Sequence, residues 1–145
     1  MPVSRTPPID SAPLVESHDC HTAHFATRRL QADTAIITVQ GQIDAANAQD
    51  LIDYALRHAT ELDCLLIDLS GVDFFGTAGF SALHTLNVRT AGEEIGWAML
   101  PSPAVSRLLR ICDPDAALPV SDSVEAALSA LQGDRPLLQL VPEPR

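Results

Sequence analysis

A chain of 145 residues with nine cationic and 19 acidic side chains carries a net charge of −10, which argues against nucleic-acid binding, since phosphate recognition needs a concentrated cationic surface. Every one of the nine cations is an arginine, so Schiff-base and other lysine chemistry is excluded, and three scattered cysteines are too few for a secreted disulfide scaffold. The length suits one domain burying about 68 to 70 per cent of its unfolded surface. With no apolar run near the ~18 residues of a membrane helix, the composition reads as cytoplasmic, without direct membrane insertion, and its acidity favours a basic protein partner.

Residues 1–20 are expected to form a flexible N-terminal leader, because the stretch to Ser17 is rich in Pro, Ser and Thr and lacks periodicity. The run from His18 to His24 concentrates imidazole and thiol groups of the kind that seat zinc. A strand from Thr22 to Leu30, however, sends alternate side chains to opposite faces, so His21 and His24 diverge. The spacing matches no zinc finger, and no metal or other cofactor is expected.

Thr34 to Gln40 is the next strand, joined to the first by the short polar connection Gln31-Ala32-Asp33 as a hairpin. Gly41 to Asp44 ends it. Asp44 is placed to cap a helix running to about Thr60, with Leu51, Ile52, Ala55 and Ala59 as its inner stripe. Cys64 to Leu69 is apolar without alternation, the pattern of a strand buried on both faces. The join from Gly71 to Gly79 then turns into a helix with Thr77 at the cap position, Gly79, Ala82, Leu83 and Leu86 inside, and Gly92 as its stop.

Ile95 to Leu100 forms another buried strand, and Ser102-Pro103 opens a helix whose Val105, Leu108, Leu109 and Cys112 share one face. Leu118 to Val120 is expected as a short edge strand. Asp122 and Glu125 resemble a capping box for a last helix carrying Val124, Ala127, Leu128 and Leu131, which Gly133 ends. The alternation predicts an α/β domain over 21–133, with a mostly parallel four- to five-stranded sheet, an antiparallel first strand and about four helices, followed by a tail over 134–145. Function in such sheets gathers at the carboxyl ends of the strands, where Asp44, Thr77 and the Gly71–Gly76 loop project.

Enzyme readings find little support. Gly76 to Gly79 lacks the Gly-Lys-Ser/Thr ending of a phosphate loop, and Gly79-Phe80-Ser81-Ala82-Leu83 lacks the second glycine of a nucleophile elbow. His84 reads as a surface histidine, Asp68 as a strand-end hydrogen-bond acceptor and Asp73 as a loop acid.

From Thr22 to Leu131 the chain resembles the STAS domain, and within it the bacterial anti-sigma factor antagonists. The resemblance rests on the Gly-x-x-Asp turn at Gly41 to Asp44, the Leu-x-Asp-Leu-Ser-Gly-Val-x-Phe block at Leu66 to Phe74, the hydroxyl-bearing turn at Gly76 to Gly79, and Pro-x-Val-x-Arg-Leu-Leu from Pro103 to Leu109. It implies a STAS-type fold and a non-enzymatic module that binds an anti-sigma factor of the ATP-binding serine/threonine kinase class and so releases a sigma factor. The kinase would phosphorylate Thr77, which occupies the family's hydroxyl position, and a phosphatase would restore it. The chain departs from the family pattern by carrying Gly76 where an Asp is common and Ala78 where a second Ser or Thr is common.

The partner surface expected from this resemblance comprises Asp44, Asp73, Phe75, Gly76, Thr77, Ala78, Gly79 and Phe80. Two other readings stay open. One is a STAS scaffold subunit of a lipid-transport or other complex, without a phosphoswitch. The other is an antagonist regulated by redox state through Cys64 and Cys112, which are otherwise two apolar core residues.

Overall fold

The computed structural model describes residues 13–133. In chain order the elements are β1 (Leu14–Cys20), β2 (Ala23–Gln31), β3 (Thr34–Ile43), α1 (Ala48–Ala59), β4 (Cys64–Phe75), α2 (Thr77–Gly92), β5 (Gly96–Leu100), α3 (Pro103–Cys112) and α4 (Val124–Gly133). One sheet holds all five strands in sequence order. β1, β2 and β3 pair antiparallel, while β3–β4 and β4–β5 are parallel, as expected when a hairpin precedes helical crossovers.

The sheet begins earlier than the sequence reading allowed. Residues 14–20, assigned there to the leader, form a strand whose Ser17, His18 and Asp19 pair with Ala26, Phe25 and His24. Most of β1 is exposed and only Cys20 is buried, so its sequence carries no apolar alternation to announce it. The expected edge strand at Leu118–Val120 shrinks to a single bridge from Val120 to Met99.

β4 runs six residues beyond the expected Leu69, and it does so through two bulges. Thr38 and Gln40 of β3 face Asp68 and Gly71, and Gly41 and Gln42 face Val72 and Phe74, so β4 carries one extra residue at each place. The Asp68 carboxylate accepts from the Ser70 amide at 2.9 Å beside the first bulge, an acceptor as expected but within the strand rather than at its end.

Alternation along β4 divides the core. Leu65, Ile67 and Leu69 join Leu51, Leu83 and Val105 in the cluster under α1, α2 and α3. Leu66 joins Ile36, Ala98 and Leu128 under α4 on the other face. Ser102 caps α3 by accepting from the Val105 amide at 3.2 Å, as expected. At α4 the cap is Ser123, accepting from the Ala126 amide at 3.0 Å, in place of the expected Asp122.

Candidate functional site

The carboxyl ends of β3 and β4 lie side by side, with Ile43 paired to Phe75 and the Gly76 amide donating to the Ile43 carbonyl at 3.0 Å. Asp44 therefore leaves β3 next to the residue that opens α2. It does not cap α1. Its Oδ1 accepts from the Ala46 amide at 2.9 Å, an Asx turn that delays the helix and leaves Asn47 at the N-cap position. Asn47 is buried and points back: its Oδ1 accepts from the Asp44 amide at 3.0 Å, while its Nδ2 donates to the carbonyls of Gln42 at 2.9 Å and Cys20 at 3.4 Å. One amide thus joins the β3–α1 loop to the β1–β2 turn.

Thr77 also differs from expectation. Gly76 holds the N-cap position in extended backbone, and Thr77 is the first helical residue, exposed and capping no amide. Its hydroxyl stands at the positive end of a 16-residue helix whose first turn has no acidic side chain. Thr77, Ser81, His84 and Val88 all reach solvent at helical spacing and continue one exposed stripe along α2. His84 stacks on Phe80 with ring centroids 6.4 Å apart, a surface position as read from the sequence.

The two phenylalanines before this helix divide. Phe75, expected at the partner surface, is only 5% exposed and belongs to the core, whereas Phe74 is 50% exposed. Gly79 is buried against the Phe75 ring: a Cβ there would stand 2.5 Å from a Phe75 ring carbon, so glycine is what lets α2 close over that ring. Asp73 is exposed, Asp44 and Gly76 are half-buried, and Ala78 and Phe80 pack partly against the main core. The sequence reading ends β4 at Leu69 and so does not tell which of Phe74 and Phe75 faces outward. Each of the two bulges shifts the pleat by one residue, so Leu69, Val72 and Phe75 all face the main core while Phe74 stays outside.

Cys64 and Cys112 do not converge. Cys64 pairs with Gly96, whose Cβ position would meet Leu131 of α4, so it lies on the α4 face with Leu66. Cys112 ends α3, whose Val105 and Leu109 pack into the cluster on the opposite face. The sheet separates them, and none of the three cysteines is in a disulfide.

The third, Cys20, sits at the site end of the sheet, where Ala23 pairs with Gly41 and the Thr22 carbonyl accepts from the Gln42 amide at 3.2 Å. Its thiol donates to Asp50 Oδ2 at 2.9 Å. Burial first, and then the hydrogen bond and charge of Asp50, push that thiol up to about 11. His24 is engaged elsewhere, its Nδ1 lying 2.6 Å from Asp19 Oδ1 across the hairpin.

The STAS domain family profile matches residues 25–127. The chain belongs to the STAS family of anti-sigma factor antagonists. This STAS domain is 33% identical over 110 residues to the anti-sigma-F factor antagonist RsfA of Mycobacterium tuberculosis, covering 72% of this chain and 85% of RsfA. It is also 32% identical over 100 residues to osmosensory protein A of the same organism, covering 66% of this chain and 63% of that longer protein, so the shared domain spans less than two thirds of it. Among solved structures, an anti-sigma factor antagonist from Mycobacterium paratuberculosis superposes with a TM-score of 0.66 at 25% identity, covering 76% of this chain and 94% of that one. The five-stranded mixed sheet with four helices is the STAS fold expected from the sequence. No helix among the described residues of this STAS domain is long and apolar enough to cross a membrane.

Proposed function

We propose that this protein is a non-enzymatic anti-sigma factor antagonist that docks an anti-sigma kinase on the end of the sheet formed by Asp44, Asp73, Phe74 and the start of α2, and that it is released when Thr77 is phosphorylated. The observation that carries the proposal is Thr77 itself: an exposed hydroxyl at the first helical position of α2, free of any capping role, beside Asp44 at the carboxyl ends of β3 and β4. A phosphate there adds about −1.5 to −2 charges. The amide-rich helix start tolerates that charge, so the domain stays folded while a close-fitting partner is repelled. RsfA and the Mycobacterium paratuberculosis structure bear the name of anti-sigma factor antagonists, which supports the partner class.

The test is phosphotransfer. The purified chain and its Thr77→Ala variant are each mixed with ATP and candidate anti-sigma kinases, then followed by intact mass and pull-down. The expected result is one phosphate on the wild type, none on the variant, and loss of binding only where phosphate is gained. Binding by both proteins without phosphate would remove the switch while keeping the antagonist role. Neither binding nor phosphate with any candidate would turn the assignment to a STAS scaffold subunit.

A further inference from the structure

The β1–β2 turn brings together three side chains that the antagonist role does not use. Cys20 closes β1, His21 follows it in the turn, and Asp50 lies in the first turn of α1; one ligand atom from each falls within 4.8 Å of the other two. Neighbouring residues in an extended strand point to opposite faces, which would separate Cys20 from His21. His21 instead holds φ 56°, in the left-handed region, and this break in the alternation lets both side chains approach Asp50.

We propose that Cys20, His21 and Asp50 form a binding site for a borderline divalent cation of the zinc class, with water in the fourth position. The donor set is one thiolate sulfur, one imidazole nitrogen and one carboxylate oxygen, the three ligand types zinc takes, and the soft sulfur disfavours magnesium or calcium. Tetrahedral bonds of about 2.0 to 2.3 Å place ligand atoms about 3.3 to 3.8 Å apart. The Cys20 sulfur and Asp50 Oδ2, 2.9 Å apart around a shared proton, need only separate slightly when a metal replaces that proton. On binding, the S–H bond breaks, the proton leaves to solvent and a sulfur–metal bond forms, with no change of oxidation state. His21 is exposed and Asp50 half-buried, so the cation reaches the sulfur from solvent.

The cation would fasten the β1–β2 turn to α1 at the point where Asn47 already holds the Cys20 carbonyl and the Asp44 amide. Metal binding itself does not depend on phosphorylation of Thr77 or on the identity of the partner.

The experiment is cobalt substitution of the reduced, metal-free full chain, without an affinity tag that contains histidine. One Co²⁺ per chain is expected, with a thiolate-to-cobalt charge-transfer band in the near ultraviolet and the visible bands of four-coordinate cobalt, both bleached by Zn²⁺. Cys20→Ser should abolish the charge-transfer band, and a joint Cys64→Ser, Cys112→Ser variant should retain it. His21→Gln, on an exposed turn where folding is not at stake, and Asp50→Asn should each weaken Zn²⁺ affinity at least about tenfold, the smallest loss typical of an outer-shell partner. Absence of the band, its survival in Cys20→Ser, or its loss in the joint variant would overturn the assignment. So would an unchanged affinity in His21→Gln.

Discussion

At the residue scale, Phe74 and Phe75 share a side-chain type and differ in environment. Phe75 fills the space under α2 that Gly79 leaves open, and its truncation removes a ring from a closed core. Phe75→Ala should therefore cost about 3 to 5 kcal/mol of stability in denaturant melts. Phe74→Ala should leave stability within about 0.5 kcal/mol while weakening anti-sigma binding about tenfold or more, measured by titration calorimetry. Equal loss of stability in both variants would show that Phe74 is structural and remove it from the docking surface.

At the element scale, the question is what holds β1, a mostly exposed edge strand, onto the domain. Beyond its antiparallel pairing with β2, the strand is tied to α1 by Glu16. Arg57 Nη2 donates to both carboxylate oxygens at 3.1 and 2.9 Å, and His58 Nε2 lies 2.6 Å from Oε1. The Tyr54 hydroxyl donates to the Glu16 carbonyl at 3.2 Å and accepts from the Thr27 hydroxyl at 2.8 Å, and the Arg57 guanidinium covers the Tyr54 ring at 5.2 Å. The strand is thus fastened to α1 by side chains at 54, 57 and 58, adjacent turns of one helix face.

Burial works to raise the Glu16 carboxyl, but the hydrogen bonds and charges of Arg57 and His58 prevail and hold it below its ordinary 4.5. A carboxyl depressed in the folded state contributes stability above its unfolded value, and that contribution is lost as pH falls through the lowered one. Glu16→Gln should consequently destabilise the protein near pH 7 by less than about 1 kcal/mol, the pair being partly exposed and screened. The difference between variant and wild type should fade as the medium is acidified below 4.5, in urea melts across that range. A difference independent of pH would mean that the ion pairs do not hold the strand.

At the scale of the whole molecule, a net charge of −10 on 145 residues sets up a negative field that reaches beyond any single contact. Under the proposed function, association with an anti-sigma factor is expected to be steered by that field toward a basic face of the partner. Raising salt from about 0.05 to about 0.5 M should slow association by about tenfold or more and change dissociation far less, in stopped-flow or surface-binding kinetics. An association rate indifferent to salt would place the recognition in apolar contacts such as Phe74.

The order of strands and helices was legible because its signals are local. Buried runs such as Cys64 to Leu69, the amphipathic stripe Val105, Leu109 and the Ser102-Pro103 start each act within a few residues, and each reappears in the structure. Even there, short-range capping rules misassigned Asp44, Thr77 and Asp122 by one to three residues: the Asp44 carboxylate turns back to the Ala46 amide, Gly76 takes the extended cap position before Thr77, and the Ser123 hydroxyl accepts from the Ala126 amide.

Tertiary structure alone decided the rest. The exposed side chains of β1 reveal nothing until Glu16 meets Arg57 and His58 some 41 and 42 residues away. Cys64 and Cys112 read alike as apolar cysteines until the sheet puts them on opposite faces, and Asp50 joins Cys20 and His21 only because β1 and α1 share one end of the fold. Periodicity and capping are set by the backbone geometry of a single segment, which the sequence carries within itself; contacts between distant segments depend on how those segments pair and which face each presents, and no local pattern encodes that.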